Sequence, residues 1–299
     1  MPRPTIYIVS DGKPGHLNQS RGLAAAIGRI RPARVMEVPV DGKREVPQPE
    51  QDAGLILAAG HRTFSKAYSL RKYLGLPTVA LMNPGWMARQ RFDLSIIPKH
   101  DGVAPSKTVI LSEGVLNTIT PATDASPTEG LLLIGGPSKH HHWEDESLIA
   151  QLHTLLSREK EMHWTATSSR RTPASTDQLL RECAEQYSDR FSFIPASETP
   201  QGWVAEQLQR CGVCWVSEDS VSMVYEALTA GARVGLIDVP RKGRLGRVVR
   251  GAISLIDRGV VTPFDEWVSG KPLPSPQEPL AEADRIAKLL LERYPNLAQ

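Results

Sequence analysis

The densest set of groups able to do chemistry lies near the start of the chain. Ser10, Asp11, Lys13 and His16 fall within the loop Ser10-Asp11-Gly12-Lys13-Pro14-Gly15-His16, and Asn18 and Gln19 follow at once. An imidazole at a helix start titrates near working pH and can take a proton from a hydroxyl. His16 is therefore the first candidate for a general base and Asp11 the second; the alternative is a histidine that only orders its loop. The spacing is neither that of a Gly-Lys-Ser/Thr phosphate loop nor Gly-x-Gly-x-x-Gly. A second constellation runs from Ser217 to Pro240. The apolar run Val213-Cys214-Trp215-Val216 gives way to a polar turn, then to Met223, Val224, Ala227 and Leu228 at helical spacing, with Gly231 as a left-handed stop. Asp219 or Ser220 is placed to cap that helix. Ser217, Asp219, Ser220, Ser222 and Met223 then surround free N–H groups at a helix start, which suit a phosphate. Glu226, further into the helix, could accept hydrogen bonds from ribose hydroxyls. The bland alternative is an ordinary strand–helix–strand crossover with capping serines.

Other groups are read against plainer roles. Gly135-Gly136-Pro137-Ser138-Lys139 could admit a ligand close to its backbone and offer Lys139 to a phosphate, or be a tight turn with a solvated lysine. His140-His141-His142 invites a metal, but consecutive side chains diverge, and no metal site is expected. Cys211 and Cys214 have CxxC spacing, yet Cys214 lies inside an apolar run and there is no second pair, so buried structural thiols are expected. The acidic triplet Glu144-Asp145-Glu146 suits a helix start. In the basic run Arg241 to Arg250, Arg244 and Arg247 could close over a diphosphate, stay solvated, or meet anionic lipid headgroups.

These groups need elements to carry them. The chain has 299 residues, enough for one large core or two smaller ones. Thr5–Val9, Val35–Val38, Gly54–Ala58, Pro77–Leu81, Asp93–Ile97 and Lys107–Leu111 read as strands, with helices after the first and third. The Pro/Ser/Thr-rich stretch Thr120–Pro127 reads as a linker. A second series opens at Leu131–Ile134 and continues through Met162–Thr165, Phe191–Ile194, Val213–Val216 and Val234–Ile237, with helices between. Leu280, Ala283, Ile286, Ala287, Leu290 and Leu291 mark an amphipathic final helix. The pattern predicts an α/β protein with two Rossmann-like domains facing a cleft: residues 1–125 and 128–270, with the helix at 279–294 packing back on the first. A net charge of +2 argues against nucleic acid as the main partner. Three cysteines fit a reducing compartment, and no apolar run reaches the ~20 residues that span a bilayer. Cytoplasmic location, peripheral at the inner membrane if at a membrane, is the expectation.

Three motifs together, SDGKPGHLNQSRGLAAAI, IGGPSKHHHW and SEDSVSMVYEALTAGARVGLID, resemble the elongated-mitochondria fission-factor family, whose bacterial members are described as glycosyltransferases. More distantly the pattern is similar to the two-domain glycosyltransferase B fold, including the lipid-linked N-acetylglucosaminyltransferase of peptidoglycan synthesis. Gly15-His16 matches that enzyme's Gly-His step, Glu226 to Gly231 matches its donor-binding segment, and Gly135-Gly136 matches its glycine loop, where Pro137 intrudes before Ser138. The resemblance implies a nucleotide-sugar donor held by the C-terminal domain, an acceptor held by the N-terminal domain, and neither cofactor nor obligatory metal. Gly12, Lys13, Gly15, Asn18 and Gln19 would then shape the acceptor side. The expected activity is sugar transfer from a nucleoside diphosphate sugar to a hydroxyl, on an envelope glycolipid such as lipopolysaccharide core. Plant members of the family are linked to mitochondrial division through protein recruitment, so a scaffold that recruits proteins to a membrane is the rival expectation, and a nucleotide-sugar epimerase the third.

Overall fold

The computed structural model describes residues 3–41, 53–243, 247–276 and 278–298. The chain divides into two compact units, Met1–Thr118 with Ala281–Gln299, and Ile119–Leu280.

Unit 1 holds one six-stranded parallel sheet in the order β2-β1-β3-β4-β5-β6. Its strands are β1 (Thr5–Ser10), β2 (Arg34–Pro39), β3 (Gly54–Ala59), β4 (Thr78–Leu81), β5 (Leu94–Pro98) and β6 (Val109–Ser112). Helix α1 (Pro14–Ile30) follows β1, α2 (His61–Leu74) follows β3, and a short α3 (Trp86–Arg89) follows β4. Alternation along β1 sends Ile6 and Ile8 to one face and Tyr7 and Val9 to the other, into two separate apolar clusters. Both faces are covered, which is why these strands read as unbroken apolar runs. The first cluster takes Leu23 and Ile27 from α1 together with Ile286, Ala287 and Leu290 from α10 (Glu282–Arg293), which packs along α1. Burial of each such leucine or isoleucine contributes about 1.5–3 kcal/mol. Arg29 of α1 also donates to Asp284 at 2.6 Å. The helix α11 (Pro295–Ala298) follows.

Unit 2 repeats the plan with the order β12-β11-β10-β7-β8-β9, all parallel. Its strands are β7 (Ser126–Leu133), β8 (His163–Thr167), β9 (Phe191–Ile194), β10 (Cys211–Ser217), β11 (Arg233–Ile237) and β12 (Thr262–Pro263). Its helices are α4 (Asp145–Arg158), α5 (Ala174–Gln186), α6 (Trp203–Arg210), α7 (Val221–Ala230), α8 (Arg247–Asp257) and α9 (Phe264–Val268). Trp215 at its centre meets Trp267 and Phe264 edge-on at 5.1 and 5.8 Å.

Two boundaries differ from the sequence reading. The Thr120–Pro127 stretch is bonded into unit 2: Gln209 donates to the Thr120 carbonyl and the Ala122 N–H to the Ala230 carbonyl. The strand expected at Leu131 begins at Ser126, since ladder bonding to β10 does not need apolar side chains. The stretch read as a basic run leads into α8, whose Val249, Ala252 and Leu255 are buried. Among the described residues no helix is long and apolar enough to cross a membrane.

Candidate active site

In each sheet the strand order reverses once. In unit 1 β1 is followed by β2 on one side and β3 on the other; in unit 2 β7 is followed by β8 on one side, and β10 lies on the other. In an open parallel sheet, loops leaving the C-terminal ends of strands at such a reversal part and leave a crevice. The Ser10–His16 loop and Gly60 flank the reversal in unit 1. The loops after β7 and β10, carrying Gly135-Gly136 and Ser217–Ser220, flank it in unit 2.

In unit 1 the His16 Nδ1 lies 3.1 Å from each carboxylate oxygen of Asp11. A carboxylate only accepts, so Nδ1 carries a proton, and Nε2 presents its lone pair in the neutral form of the ring. Nε2 has no hydrogen-bond partner among the described residues. The Asp11 side chain is 1% exposed and that of His16 22%. Burial would raise the Asp11 carboxyl, but the Lys13 N–H at 3.2 Å and the His16 ring outweigh it and hold it below the usual carboxylate range. Asp11 is thereby placed to orient the imidazole.

Gly60 completes this arrangement and was not among the sequence candidates. It begins α2 at φ +86, and a Cβ there would sit 2.2 Å from His16 Cε1. The ring packs on the bare Cα, so any side chain would push it away. Gly60→Ala is expected to displace the imidazole, and to slow at least about tenfold any reaction in which that ring takes a proton. A crystal structure of the variant would show the ring moved.

The remaining unit 1 candidates divide. Gly12 (φ +75), Lys13 and Gly15 are exposed, and a Cβ on either glycine would meet nothing within 4 Å. Gln19 is buried and its amide donates to the Gly15 carbonyl and to Met82 Sδ; Asn18 accepts from Thr118 at 3.0 Å. Gln19 thus ties to the loop backbone, and Asn18 to the segment after β6. Met82, at the end of β4, is the sole non-glycine residue with positive φ (+71) among the described residues, a conformation costing about 1–3 kcal/mol that clusters at functional sites.

In unit 2 the organiser is Asp219. Its side chain is fully buried and accepts from the Gly136 N–H (3.1 Å), the Ser217 hydroxyl (2.7 Å) and the Arg171 guanidinium (2.7 Å). Ser217 Oγ in turn accepts from the Gly135 N–H at 2.7 Å. A Cβ on Gly135 would strike the Asp219 carboxylate, and one on Gly136 the Arg171 carbonyl. Both glycines lie close against parts of this protein, and their amides are already engaged. Ser138 is likewise spent, accepting the N–H groups of His140 and His141, while Lys139 is exposed. Neither Asp219 nor Ser220 caps α7 through its side chain, because Arg171 and buried donors draw the Asp219 carboxylate away.

The start of α7 stays available. Met223 and Val224 N–H bond to the Ser220 carbonyl, so the Val221 and Ser222 amides precede the helical bonding. Ser222 is exposed, and Glu226, four residues on and part-buried, shares its side of the helix. Cations stand nearby in sequence and contact: Arg241 donates to Glu218 at 2.7 Å and Lys242 Nζ to the Ser138 carbonyl at 3.0 Å. Arg244 lies outside the described residues; Arg247 opens α8, and its side chain is likewise outside them.

Beside Glu218 is a cavity of about 380 Å³ that also bears Asp238 and Asp265. Burial, then Asp265 and Glu218, push the Asp238 carboxyl up to about 6 from 3.8. The folded state thus holds this proton more tightly than the unfolded chain. Stability is greatest below the unfolded value near 3.8 and falls as pH rises through about 6. Asp238→Asn is expected to remove that fall, seen as a flatter plot of unfolding free energy against pH.

Two sequence motifs find plain roles. Cys211 and Cys214 are buried, and burial pushes the Cys211 thiol up to about 12, far from a reactive thiolate. His141 is buried while His142 is exposed, so the triplet's rings diverge.

Two parallel α/β units, each with a polar loop at its reversal point, define the glycosyltransferase B class of fold. Solved structures agree on the fold. A UDP-GlcNAc 2-epimerase from Neisseria meningitidis bound to UDP-GlcNAc matches with a TM-score of 0.51 at 10% identity, over 97% of this chain and 99% of that one. S. aureus MnaA with UDP matches at 0.50 and 12%, over 100% and 98%. Phytolacca americana UGT2, complexed with UDP-2-fluoroglucose and pterostilbene, matches at 0.50 and 10%, over 98% and 90%. The chain belongs to the mitochondrial fission ELM1 family, whose sequence profile matches residues 14–294. No curated protein matches it in sequence.

Proposed function

We propose that the protein transfers a sugar from a nucleoside diphosphate sugar to an acceptor hydroxyl, on a membrane glycolipid such as lipopolysaccharide core, at the cytoplasmic side of the membrane. The observation that carries this reading is the buried Asp11 holding His16 with Nε2 unengaged at the reversal point of unit 1. A hydroxyl is a weak nucleophile until its proton leaves. Its oxygen bonds to the anomeric carbon, its proton passes to His16 Nε2, and Asp11 stabilises the resulting imidazolium. The bond from the anomeric carbon to the phosphate oxygen breaks with its electron pair staying on the diphosphate. The Val221 and Ser222 amides, with Lys139, stabilise that charge without requiring a metal. Glu226 accepts from the ribose. The exposed Gly12–Gly15 segment lies against the acceptor. Arg244 and Arg247 supply guanidinium groups to the diphosphate.

The fold is shared with epimerases as well as with a transferase, so a second reading is epimerisation of the sugar nucleotide, which needs no acceptor. Calorimetric titration with UDP-, GDP-, ADP- and CMP-sugars tests the donor site: one series binds the wild type, and Glu226→Ala weakens it. Product analysis with donor alone exposes an epimerase. Failure of every donor to bind leaves the family's recruiting role and overturns the enzymatic reading.

A further inference from the structure

Away from the two reversal points, unit 1 carries an unusual surface. Residues 53–92 contain no Asp or Glu, yet hold Arg62, Lys66, Arg71, Lys72, Arg89 and Arg91, in a chain whose net charge is only +2. The same stretch exposes Trp86 (69%) and Met87 (75%) as well as Tyr68 and Tyr73. Trp86 is the sole exposed tryptophan among the described residues.

Several of these groups stand together where α2 meets residues 91 and 92. Arg71 donates to the Arg91 carbonyl at 2.9 Å, and Phe64 of α2 meets Phe92 edge-on at 5.1 Å, so α2 lies against the chain that leads from the Trp86-Met87 turn into β5. The Arg91 guanidinium and Lys72 Nζ both stand over the Tyr68 ring, at 5.9 and 4.9 Å. Two acids touch its margins: Asp93 pairs with Arg71, and the exposed Asp41 lies 3.5 Å from Arg62. The Trp86-Met87 tip is set by its turn, in which the Gly85 N–H donates to Asn83 Oδ1 and Gly85 takes φ +82. That tip leaves the C-terminal end of β4, the same rim of the sheet as the Asp11–His16 loop and two strands from it.

An exposed indole and thioether beside each other keep apolar surface in water for no folding gain. Tryptophan and tyrosine favour the headgroup layer of a bilayer, and lysine and arginine near it are drawn to anionic lipid. The face has both and almost no acid to repel the lipid. We propose that the surface formed by α2 and residues 86–91 docks the protein on an anionic phospholipid bilayer, with Trp86 and Met87 entering the headgroup layer. The basic run after β11, considered for this role from sequence, has Arg241 and Lys242 engaged within unit 2. Docking needs no sugar donor, so it stands or falls separately from the transfer reading.

The test is co-sedimentation of the full chain with vesicles of phosphatidylcholine, with and without phosphatidylglycerol. Wild type is expected to partition at least about tenfold more strongly onto the anionic vesicles, with the preference lost in high salt. Trp86→Ser with Met87→Ser, and separately Lys72→Glu with Arg91→Glu, should each weaken that binding about tenfold or more; all four side chains are exposed, and unchanged thermal midpoints check folding. Brominated lipid should quench wild-type tryptophan emission, with the quenching lost in Trp86→Phe. Equal binding to neutral vesicles, no vesicle binding, variants that bind like wild type, or quenching that survives Trp86→Phe each overturns the proposal.

Discussion

Replacing His16 with alanine is expected to lower the rate constant of sugar transfer by about 10²–10⁴-fold, the usual contribution of a positioned general base. Donor affinity should be unchanged, because the donor contacts assigned above belong to unit 2. Asp11→Asn is expected to act in the same direction with a smaller loss. The amide keeps a polar contact to Nδ1 but cannot offset the charge that the ring gains. With its folded carboxyl below the usual range, Asp11 contributes stability that is present above the unfolded value and lost as pH falls through the folded one. Asp11→Asn should therefore also flatten acid unfolding in unit 1. Steady-state kinetics with titration calorimetry separate the outcomes. Wild-type turnover in His16→Ala would remove the imidazole from the reaction.

The largest effect on folding is expected from Asp219→Ala. The carboxylate has no exposed surface and satisfies the Gly136 N–H, the Ser217 hydroxyl and Arg171 together. Removing it leaves buried donors without an acceptor and the guanidinium without its counter-charge. A loss of about 3–5 kcal/mol of unfolding free energy follows. Urea unfolding should show a lower midpoint with an unchanged slope. Asp219→Asn should recover part of the loss, since its carbonyl can still accept. A loss under about 1 kcal/mol would mean that the loops after β7 and β10 do not depend on this group.

The layered architecture was legible because both faces of each sheet are covered. β3 is buried at every position and reads as one apolar run, and the polar loops announce themselves where such runs end. Long-range partners were not legible. Arg171 reaches Asp219 across 48 residues, and nothing local distinguishes that carboxylate from an ordinary helix cap. Gly60 reads as a strand terminator, and its fit under His16 exists only once β1 and β3 lie side by side. The short α3 has too few residues for a periodic signal, so the turn carrying Trp86 looked like a strand end.

The return of α10 to α1 fixes an order of assembly during synthesis. Residues 119–280 form a continuous unit and can close as they leave the ribosome. The earlier residues cannot complete their core until Ile286 and Leu290 emerge, so the side of α1 that α10 covers stays open while the whole second unit is being made. A nascent chain stalled before residue 281 would offer that greasy stripe to a chaperone.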